Sequence, residues 1–384
     1  MYIKILYTKN NKNKKFKENT MNFQKIQDYF KIRFNSSEDI SCFFSGTPFF
    51  LLGDITCNCS KHSLMTTLSS GTGLAINTHK KDNIFSIQSS QKNISYSCEK
   101  HKLLNYHEDD FSKKLFNMLG EIIPNLKEEI SGCDMLFFDN TIDNFFHSHK
   151  EVLLSAISLL FFPEQTPAEI ISKISPSDFS KKDKLKLLAA LSGRENHCII
   201  TDNSKMIYKS YRIPLINKKI IFIKTDIKNQ YLSSKMTNVC KVFESKSIQN
   251  TPLSKDILFS DFSLNKEDID FLCFMSNEEK RIEKYPNISN FNDFCKIINE
   301  SGSELIKLCN NSELDLLYSI ATKNPYLLAI RPSYNISFVY SIVSDNNVDK
   351  FIETFETEYE KKAGYKPTFF ICDTVTSGIE RGIL

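Results

Sequence analysis

The sequence predicts an α+β protein with two domains, each combining a sheet with helices. Its 384 residues exceed what one domain usually holds, since domains commonly contain about 100–200 residues. Hydrophobic residues make up 41% of the chain and charged residues 25%, which provides apolar material for two cores and excludes disorder throughout. Strand-like and helix-like patterns also follow one another along most of the chain, which favours a mixed fold.

The charge balance favours no class of partner. Lys and Arg total 49 and Asp and Glu total 46, so the net charge of +3 indicates neither a nucleic-acid nor a membrane partner. No apolar run reaches the roughly 20 residues of a membrane-spanning helix, and the N-terminus lacks a signal-peptide core, so we expect a cytoplasmic protein. There the 11 cysteines are expected to be reduced thiols that mostly pack as small apolar groups.

The first half of the chain predicts a leading segment and an N-terminal domain. Residues 1–20 contain the basic run KNNKNKKFK and are expected to be a disordered tail, or an extension if translation begins at Met21. The stretch FQKIQDYFKIRF then has apolar residues at helical spacing. Further strands are predicted at 49–52, within 64–90, at 133–142 and at 197–201, and helices at 111–126, 150–162 and 185–191.

The second half predicts a C-terminal domain. The apolar run KKIIFIKTDI at 218–227 is typical of a strand near its start. Helices are predicted at 269–282, 291–308, 313–321 and 349–362, and strands at 337–343 and 368–374. Gly364 is the expected stop of the last helix, because glycine adopts the left-handed conformation that ends helices. We assign residues 21–204 to the N-terminal domain and 205–384 to the C-terminal domain.

Three segments resemble galactokinase, a member of the GHMP family of small-molecule kinases. YEKKAGYKPTFFICDTVTSGIERG at 359–382 is similar to the closing helix, turn and strand of that family. FCKIINESGSELIKLCNNSELDLLYSIA at 294–321, with SNEEKRI at 276–282 before it, resembles a family helix pair, and LLGD at 51–54 resembles a Leu-Ile-Gly-Glu turn. The resemblance implies a two-lobed GHMP-kinase fold, in which a ribosomal-protein-S5-like N-terminal domain packs against a ferredoxin-like C-terminal domain around the site.

The resemblance also implies a reaction, the transfer of the γ-phosphoryl group of ATP to a sugar hydroxyl. Such enzymes act by positioning and by stabilising charge, with MgATP as cofactor. They therefore need a glycine-rich loop around the phosphates, a carboxylate near the hydroxyl and an arginine.

The first family motif, GRVNLIGEHTDY, has lost its cation in this chain. Pro48 stands where the catalytic Arg belongs, and proline has no donor to offer. Asp54 and Thr56 match the acid and the threonine of the motif, whereas Cys57 replaces its sugar-binding Asp. Asp54, Thr56 and Cys57 are the candidates for sugar contacts that remain.

The phosphate loop, PIGAGLSSSAA in the family, has lost its glycines. IDNFFHSHK at 142–150 takes its place, and Phe145 and Phe146 would project into the space where backbone amides approach phosphates. Residues with polar or basic side chains there remain as phosphate-loop candidates, namely Asn144, Ser148, which matches a family serine, His149 and Lys150, together with His147 as a further source of charge. The alternative is that they form a solvated polar helix start.

The catalytic base and the last glycine-rich turn are missing as well. The GIMDQ segment of the family aligns with residues 183–187, and Lys186 stands at its Asp. Asp183, about one helical turn away, is the residue that a register shift would put in its place. The turn GGGFGG is replaced by RPSYNIS at 331–337, which has no glycine.

We therefore predict a pseudokinase, an inactive galactokinase-like protein that holds a sugar, another small molecule or a protein partner in the former cleft and needs no cofactor. Losing one oriented charge costs about 3 kcal/mol of transition-state stabilisation, and four elements are lost here. The alternative is an active sugar kinase that uses MgATP and displaced residues, namely Asp54, Ser148, Lys150 and Asp183.

Metal and phosphate motifs elsewhere are weak. Two groups have spacings that zinc sites tolerate, namely Cys57, Cys59 and His62, and Cys98 with His101. Neither group contains a C-x-x-C pair, so we predict no metal site. LSSGTGLAI at 68–76 lacks the lysine of a phosphate loop and is expected to bind no phosphate.

Overall fold

The computed structural model describes residues 3–6, 23–35, 40–90, 94–126, 128–139, 146–224, 265–288, 290–333, 338–373 and 378–382. Its strands are β1 (Ile3–Leu6), β2 (Ser41–Leu52), β3 (His62–Lys80), β4 (Ile84–Ser89), β5 (Ile94–Glu99), β6 (Gly132–Asp139), β7 (His197–Asp202), β8 (Ile207–Arg212), β9 (Lys218–Lys224), β10 (Leu327–Pro332), β11 (Phe338–Ser344), β12 (Thr368–Asp373) and β13 (Ile379–Arg381). Its α-helices are α1 (Phe23–Phe34), α2 (Asp110–Ile122), α3 (His149–Phe161), α4 (Pro167–Ile174), α5 (Lys181–Ser192), α6 (Lys266–Lys284), α7 (Phe291–Cys309), α8 (Ser312–Lys323) and α9 (Val348–Ala363). The predicted mixture of sheets and helices is confirmed.

The larger sheet is built around β3, the longest strand described. The strand order is β13-β2-β3-β6-β4-β5, and β7 pairs with both β3 and β8. Gly71 in the stretch 68–76 permits this pairing, because a Cβ at this position would lie 2.0 Å from the carbonyl oxygen of Ser45 on β2. The stretch is therefore part of a buried strand. Helices α2, α3, α4 and α5 contribute to the apolar core of this sheet.

The smaller sheet has the strand order β1-β12-β9-β11-β10, and all its pairings are antiparallel. Helices α6, α7, α8 and α9 supply apolar side chains to the cores beside it. Helix α9 ends as the sequence predicts, because Gly364 adopts a φ of 80° and its N–H donates to the carbonyl of Glu360.

The strands near the two ends of the chain each join the sheet that is formed mostly by the other half of the chain. Strand β1, which lies within the predicted tail at 1–20, pairs with β12 of the smaller sheet, and β13 pairs with β2 of the larger one. The predicted boundary after residue 204 falls in the turn between β7 and β8. The division into two domains stays a prediction.

A shared apolar core joins the sheets and positions the site. It contains Phe49 and Leu51 from β2, Phe222 from β9, and Tyr340 from β11, all at most 5% exposed. The Tyr340 hydroxyl donates a 2.7 Å hydrogen bond to the Leu51 carbonyl oxygen. The end of β2 is thereby fixed directly against the smaller sheet.

The cysteines mostly follow the prediction of reduced, packed thiols. Nine described cysteines are free, and Cys273 is the one among them that is half-buried rather than buried. Cys59 differs, because it takes part in a disulfide. Among the described residues, no helix has the length and apolar character needed to cross a membrane.

Candidate functional site

The turn after β2 carries the predicted sugar contacts. Gly53 has a φ of 82°, a conformation that glycine adopts without strain, and its N–H donates to Glu278 on α6 at 3.1 Å. Asp54, Thr56 and Cys57 follow within this turn and are 3%, 0% and 1% exposed. The turn thus brings the three candidates together, but it encloses them in protein.

Asp54 belongs to a buried charge cluster with Arg331 and Glu278. Its Oδ1 lies 2.5 Å from Nη2 of Arg331, and Oε1 of Glu278 lies 3.1 Å from the same nitrogen. Arg331 also donates to the Ser301 hydroxyl at 2.8 Å and to the Pro332 carbonyl at 3.1 Å. The cluster therefore links the turn with β10, α6 and α7.

The charge of Arg331 is maintained by its carboxylate partners. Burial alone would lower the pKa of Arg331, but the charges of Asp54 and Glu278 outweigh burial and raise it. With 0% exposure, this guanidinium holds protein groups together and is not directed at an external phosphate.

Thr56 and Cys57 offer little to a ligand in this arrangement. Burial raises the pKa of the Cys57 thiol to about 11, so the group is neutral at physiological pH. Its Sγ lies 3.5 Å from the Asp54 carbonyl oxygen. The buried hydroxyl of Thr56 has no hydrogen-bond partner among the described residues.

Helix α5 places a cation near this turn that the sequence analysis missed. Lys182 is half-buried, and its ammonium lies 5.5 Å from the centre of the Phe50 ring. Burial lowers the pKa of Lys182 to about 8, although the nearby Asp54 and Cys57 act in the opposite direction. The resemblance indicated Lys186 instead, one turn further along the helix. The run of lysines at the start of α5 was the sequence signal that could have indicated Lys182.

Pro48 and Asp183 both take part in secondary structure, Pro48 in a strand pairing and Asp183 in a helix cap. Pro48 is buried in β2 and lies opposite Thr67 of β3. Asp183 accepts hydrogen bonds from the backbone and hydroxyl of Ser180 and so completes the capping box of α5. Neither position provides the cation or the base that the family motifs have there.

Phe146 lies in the segment that the sequence resemblance aligns with the phosphate loop of the family. It is 1% exposed, and its ring centre lies 5.1 Å from that of Phe222, 5.3 Å from Phe370 and 5.8 Å from Phe338. These partners lie on three strands of the smaller sheet, so Phe146 packs against that sheet at the loop position. Asn144 and Phe145 lie outside the described residues, as do residues 334–337 of the segment aligned with the last glycine-rich turn of the family.

Ser148 and Lys150 are engaged within the protein. Ser148 is fully buried and donates from its hydroxyl to the Ser45 carbonyl at 2.9 Å. The ammonium of Lys150 lies 5.0 Å from the centre of the Phe179 ring. Both therefore contribute contacts that stabilise the fold.

His149 contacts a carboxylate that the sequence analysis did not single out. Its Nε2 lies 3.0 Å from Oδ2 of Asp139, and Nδ1 of His147 lies 3.7 Å from the same oxygen. Burial of Asp139 acts to raise its pKa, but the hydrogen bond and charge of His149 and the charge of His147 lower it. The carboxylate is thus stabilised in its ionised form.

Two surface depressions lie apart from this turn. One, of about 590 Å³, is lined by residues of α7, α8 and β10 that include Asn299 and Tyr318. The other, of about 350 Å³, lies along α2 and includes Asp110 and Lys114. None of the three sugar-site candidates lines either depression.

Comparison with known proteins finds a similar sequence over part of the chain and similar folds over most of it. No known family model matches the chain. A galactokinase from Clostridium acetobutylicum is 26% identical over 198 residues, which are 47% of this chain and 51% of that protein, so the match spans about half of that relative. A Lactococcus lactis galactokinase solved in complex with galactose superposes with a TM-score of 0.74 at 17% identity, covering 94% of this chain and 99% of the other. The Methanococcus jannaschii mevalonate kinase gives a TM-score of 0.57 at 13% identity, covering 89% and 99%.

The chain therefore has the GHMP-kinase fold that galactokinases and mevalonate kinases share. About half of the chain is also similar in sequence to a galactokinase, and the predicted resemblance is confirmed.

Proposed function

We propose that this chain is a catalytically inactive relative of galactokinase that acts as a binding or regulatory module. The observation that carries the proposal is the packing of Phe146, which places an aromatic ring where a phosphate loop needs glycine. A glycine-rich loop binds phosphate because its backbone amides are accessible. A phenylalanine in contact with three rings of the smaller sheet offers no such surface.

MgATP does not fit the groups at this position. The position of the family arginine holds Pro48, and the guanidinium of Arg331 is bound to Asp54 and Glu278. Without the glycine-rich loop and the arginine of the family motifs, the charge of a triphosphate would lack the compensation that those motifs provide.

The alternative, an active kinase that uses displaced residues, requires groups with other partners. Asp54 pairs with Arg331, Ser148 bonds to a strand, Lys150 stacks on Phe179 and Asp183 caps α5. Recruiting any of them would first break a contact that stabilises the fold. These contacts thus support the proposed inactive protein over an active kinase.

A thermal-shift titration tests the proposal, with MgATP and galactose added separately and together. A ligand that binds only the folded state, at about 100 times its Kd, adds about 2.7 kcal/mol of stability, or about 3 °C for a chain of this length. We expect no shift with MgATP. A reproducible shift with MgATP, or formation of ADP that depends on galactose, would overturn the proposal.

Two cysteine variants locate a sugar response if galactose alone raises the melting temperature. Cys57→Ala changes the position of the family's sugar-binding Asp, whereas Cys98→Ala removes a buried thiol from β5. Loss of the shift in Cys57→Ala alone would support a sugar-binding module at the turn. Equal shifts in both variants would place sugar binding elsewhere, and no shift in the wild type would leave a protein partner as the ligand to seek.

A further inference from the structure

Asp139, His147 and His149 bring three metal-ligating atoms together beside the start of α3. The Asp139 Oδ2 lies 3.0 Å from His149 Nε2 and 3.7 Å from His147 Nδ1, and all three atoms lie within 4.8 Å of one another. Their side chains are 1%, 13% and 6% exposed for Asp139, His149 and His147. A carboxylate and two imidazoles therefore converge in a largely desolvated place.

The spacing of these atoms suits a tetrahedral metal ion. Zinc binds imidazole nitrogen and carboxylate oxygen at about 2.0–2.1 Å, so neighbouring tetrahedral ligands lie about 3.3 Å apart. The two observed distances from Oδ2 lie on either side of this value. Small side-chain rotations would bring all three atoms into coordination distance of one ion.

The surroundings hold the ligands in place. Thr72 donates from its hydroxyl to the other carboxylate oxygen of Asp139 at 2.6 Å, which leaves Oδ2 directed at the histidines. The backbone N–H of Ser148 in turn donates to the Thr72 hydroxyl at 2.9 Å. The rings of Phe111 and Phe137 pack edge-on against His149, with centres 4.9 Å and 5.4 Å away. Such supporting contacts are typical of metal sites, where they orient the ligands.

We propose that Asp139, His147 and His149 bind a divalent transition-metal ion of the Zn²⁺ type, with a fourth position left to water or another ligand. Imidazole nitrogen favours such ions, whereas Mg²⁺ prefers a shell of oxygen ligands. The proposal is independent of kinase activity. The site was not predicted from the sequence, because the candidate metal ligands considered there were cysteines with neighbouring histidines, and the His-x-His pair was not connected with the end of β6.

Metal titration of the purified full-length chain tests this site. After removal of metal with a chelator, Zn²⁺ is titrated by calorimetry, Co²⁺ by visible absorption, and Mg²⁺ serves as the comparison. We expect one saturable Zn²⁺ site per chain, a Co²⁺ spectrum typical of four-coordination, and no Mg²⁺ binding in the same range. Failure of the wild type to bind Zn²⁺ or Co²⁺ would overturn the proposal.

Variants assign the bound metal to these residues. Thr72→Val should weaken Zn²⁺ binding about 10–100-fold, as loss of a supporting hydrogen bond commonly does, and Thr72→Ser should retain it. His149→Gln should weaken binding further. The matched control is His62→Gln, because His62 also contacts a carboxylate, that of Glu279, in a second group with Glu283.

The control separates the two groups of residues. Unchanged affinity in His149→Gln, or loss of binding in His62→Gln alone, would refute the assignment. His147→Gln provides a second direct test if His149→Gln does not fold, since circular dichroism identifies an unfolded variant before titration.

Discussion

Replacing Asp54 with Asn removes one negative charge from the cluster with Arg331 and Glu278 and leaves the side chain's shape unchanged. Asp54 is 3% exposed, and its Oδ1 lies 2.5 Å from Arg331. Breaking a buried ion pair from one side typically costs about 3–5 kcal/mol. Glu278 still faces Arg331 in the variant, and the asparagine oxygen accepts one hydrogen bond. We therefore expect the lower value, about 3 kcal/mol.

Thermal unfolding followed by circular dichroism measures this loss. For 384 residues, about 3 kcal/mol corresponds to a decrease of about 4 °C in melting temperature, because the unfolding entropy is about 2.1 cal/mol/K per residue. Asp349→Asn is the matched control, because Asp349 is exposed in the first turn of α9. Its loss of a favourable helix-dipole interaction should cost less than about 1 kcal/mol.

A structural role of Asp54 is refuted if Asp54→Asn has the same melting temperature as the wild type and instead weakens galactose binding. Asp54 would then be a ligand contact rather than a partner of Arg331. A double variant provides a further check: Asp54→Asn with Arg331→Met should be less destabilised than the sum of the single variants, because removing both charges leaves fewer unpaired groups. Strict additivity would show that the two side chains do not interact.

Two further predictions concern packing and pH. Phe146→Ala should lower the free energy of unfolding, measured by urea titration, by about 3–5 kcal/mol. The control Phe291→Ala removes a half-buried ring and should lower it less. Equal losses in the two variants would contradict the tight packing of Phe146. Burial raises the pKa of Cys198 from 9.0 to about 12, so its stabilisation is complete below about pH 9 and is lost as the pH rises towards 12. The urea midpoint of the wild type should therefore fall more steeply above pH 9 than that of Cys198→Ala, and parallel profiles would refute this.

The order of the main elements could be predicted because the local patterns agree with the fold. The apolar run at 49–52 ends β2, and the helical spacing before Gly364 predicts α9. Helix α4 was missed although its capping box, Thr166 with Glu169, and Pro167 at its first turn were available signals. Strands β8 and β10 were missed for different reasons, since β8 is largely polar and β10 ends at a proline.

The candidate site could be predicted only where a local motif describes it. The alignment of Pro48 with the family arginine follows from the spacing to Gly53 and stays a prediction. The pairing of Asp54 with Arg331 spans 277 residues, and one sequence contains no local signal for such a contact. The same holds for Thr72 and Asp139, which lie 67 residues apart and meet because β3 pairs with β6. Polar contacts between residues far apart in the sequence could therefore be identified only from the tertiary structure.

The packing of Phe146 also has a consequence for motion. Kinases commonly close two lobes around their substrates, and closure requires a cleft whose walls separate. Here Phe146 and Phe49 contact rings of the smaller sheet, and Arg331 bonds to both Asp54 and Glu278 across the same region. Separating these surfaces would expose aromatic area and unpair buried charges, and both changes are unfavourable. We therefore expect a ligand or partner to bind with little relative movement of the two sheets.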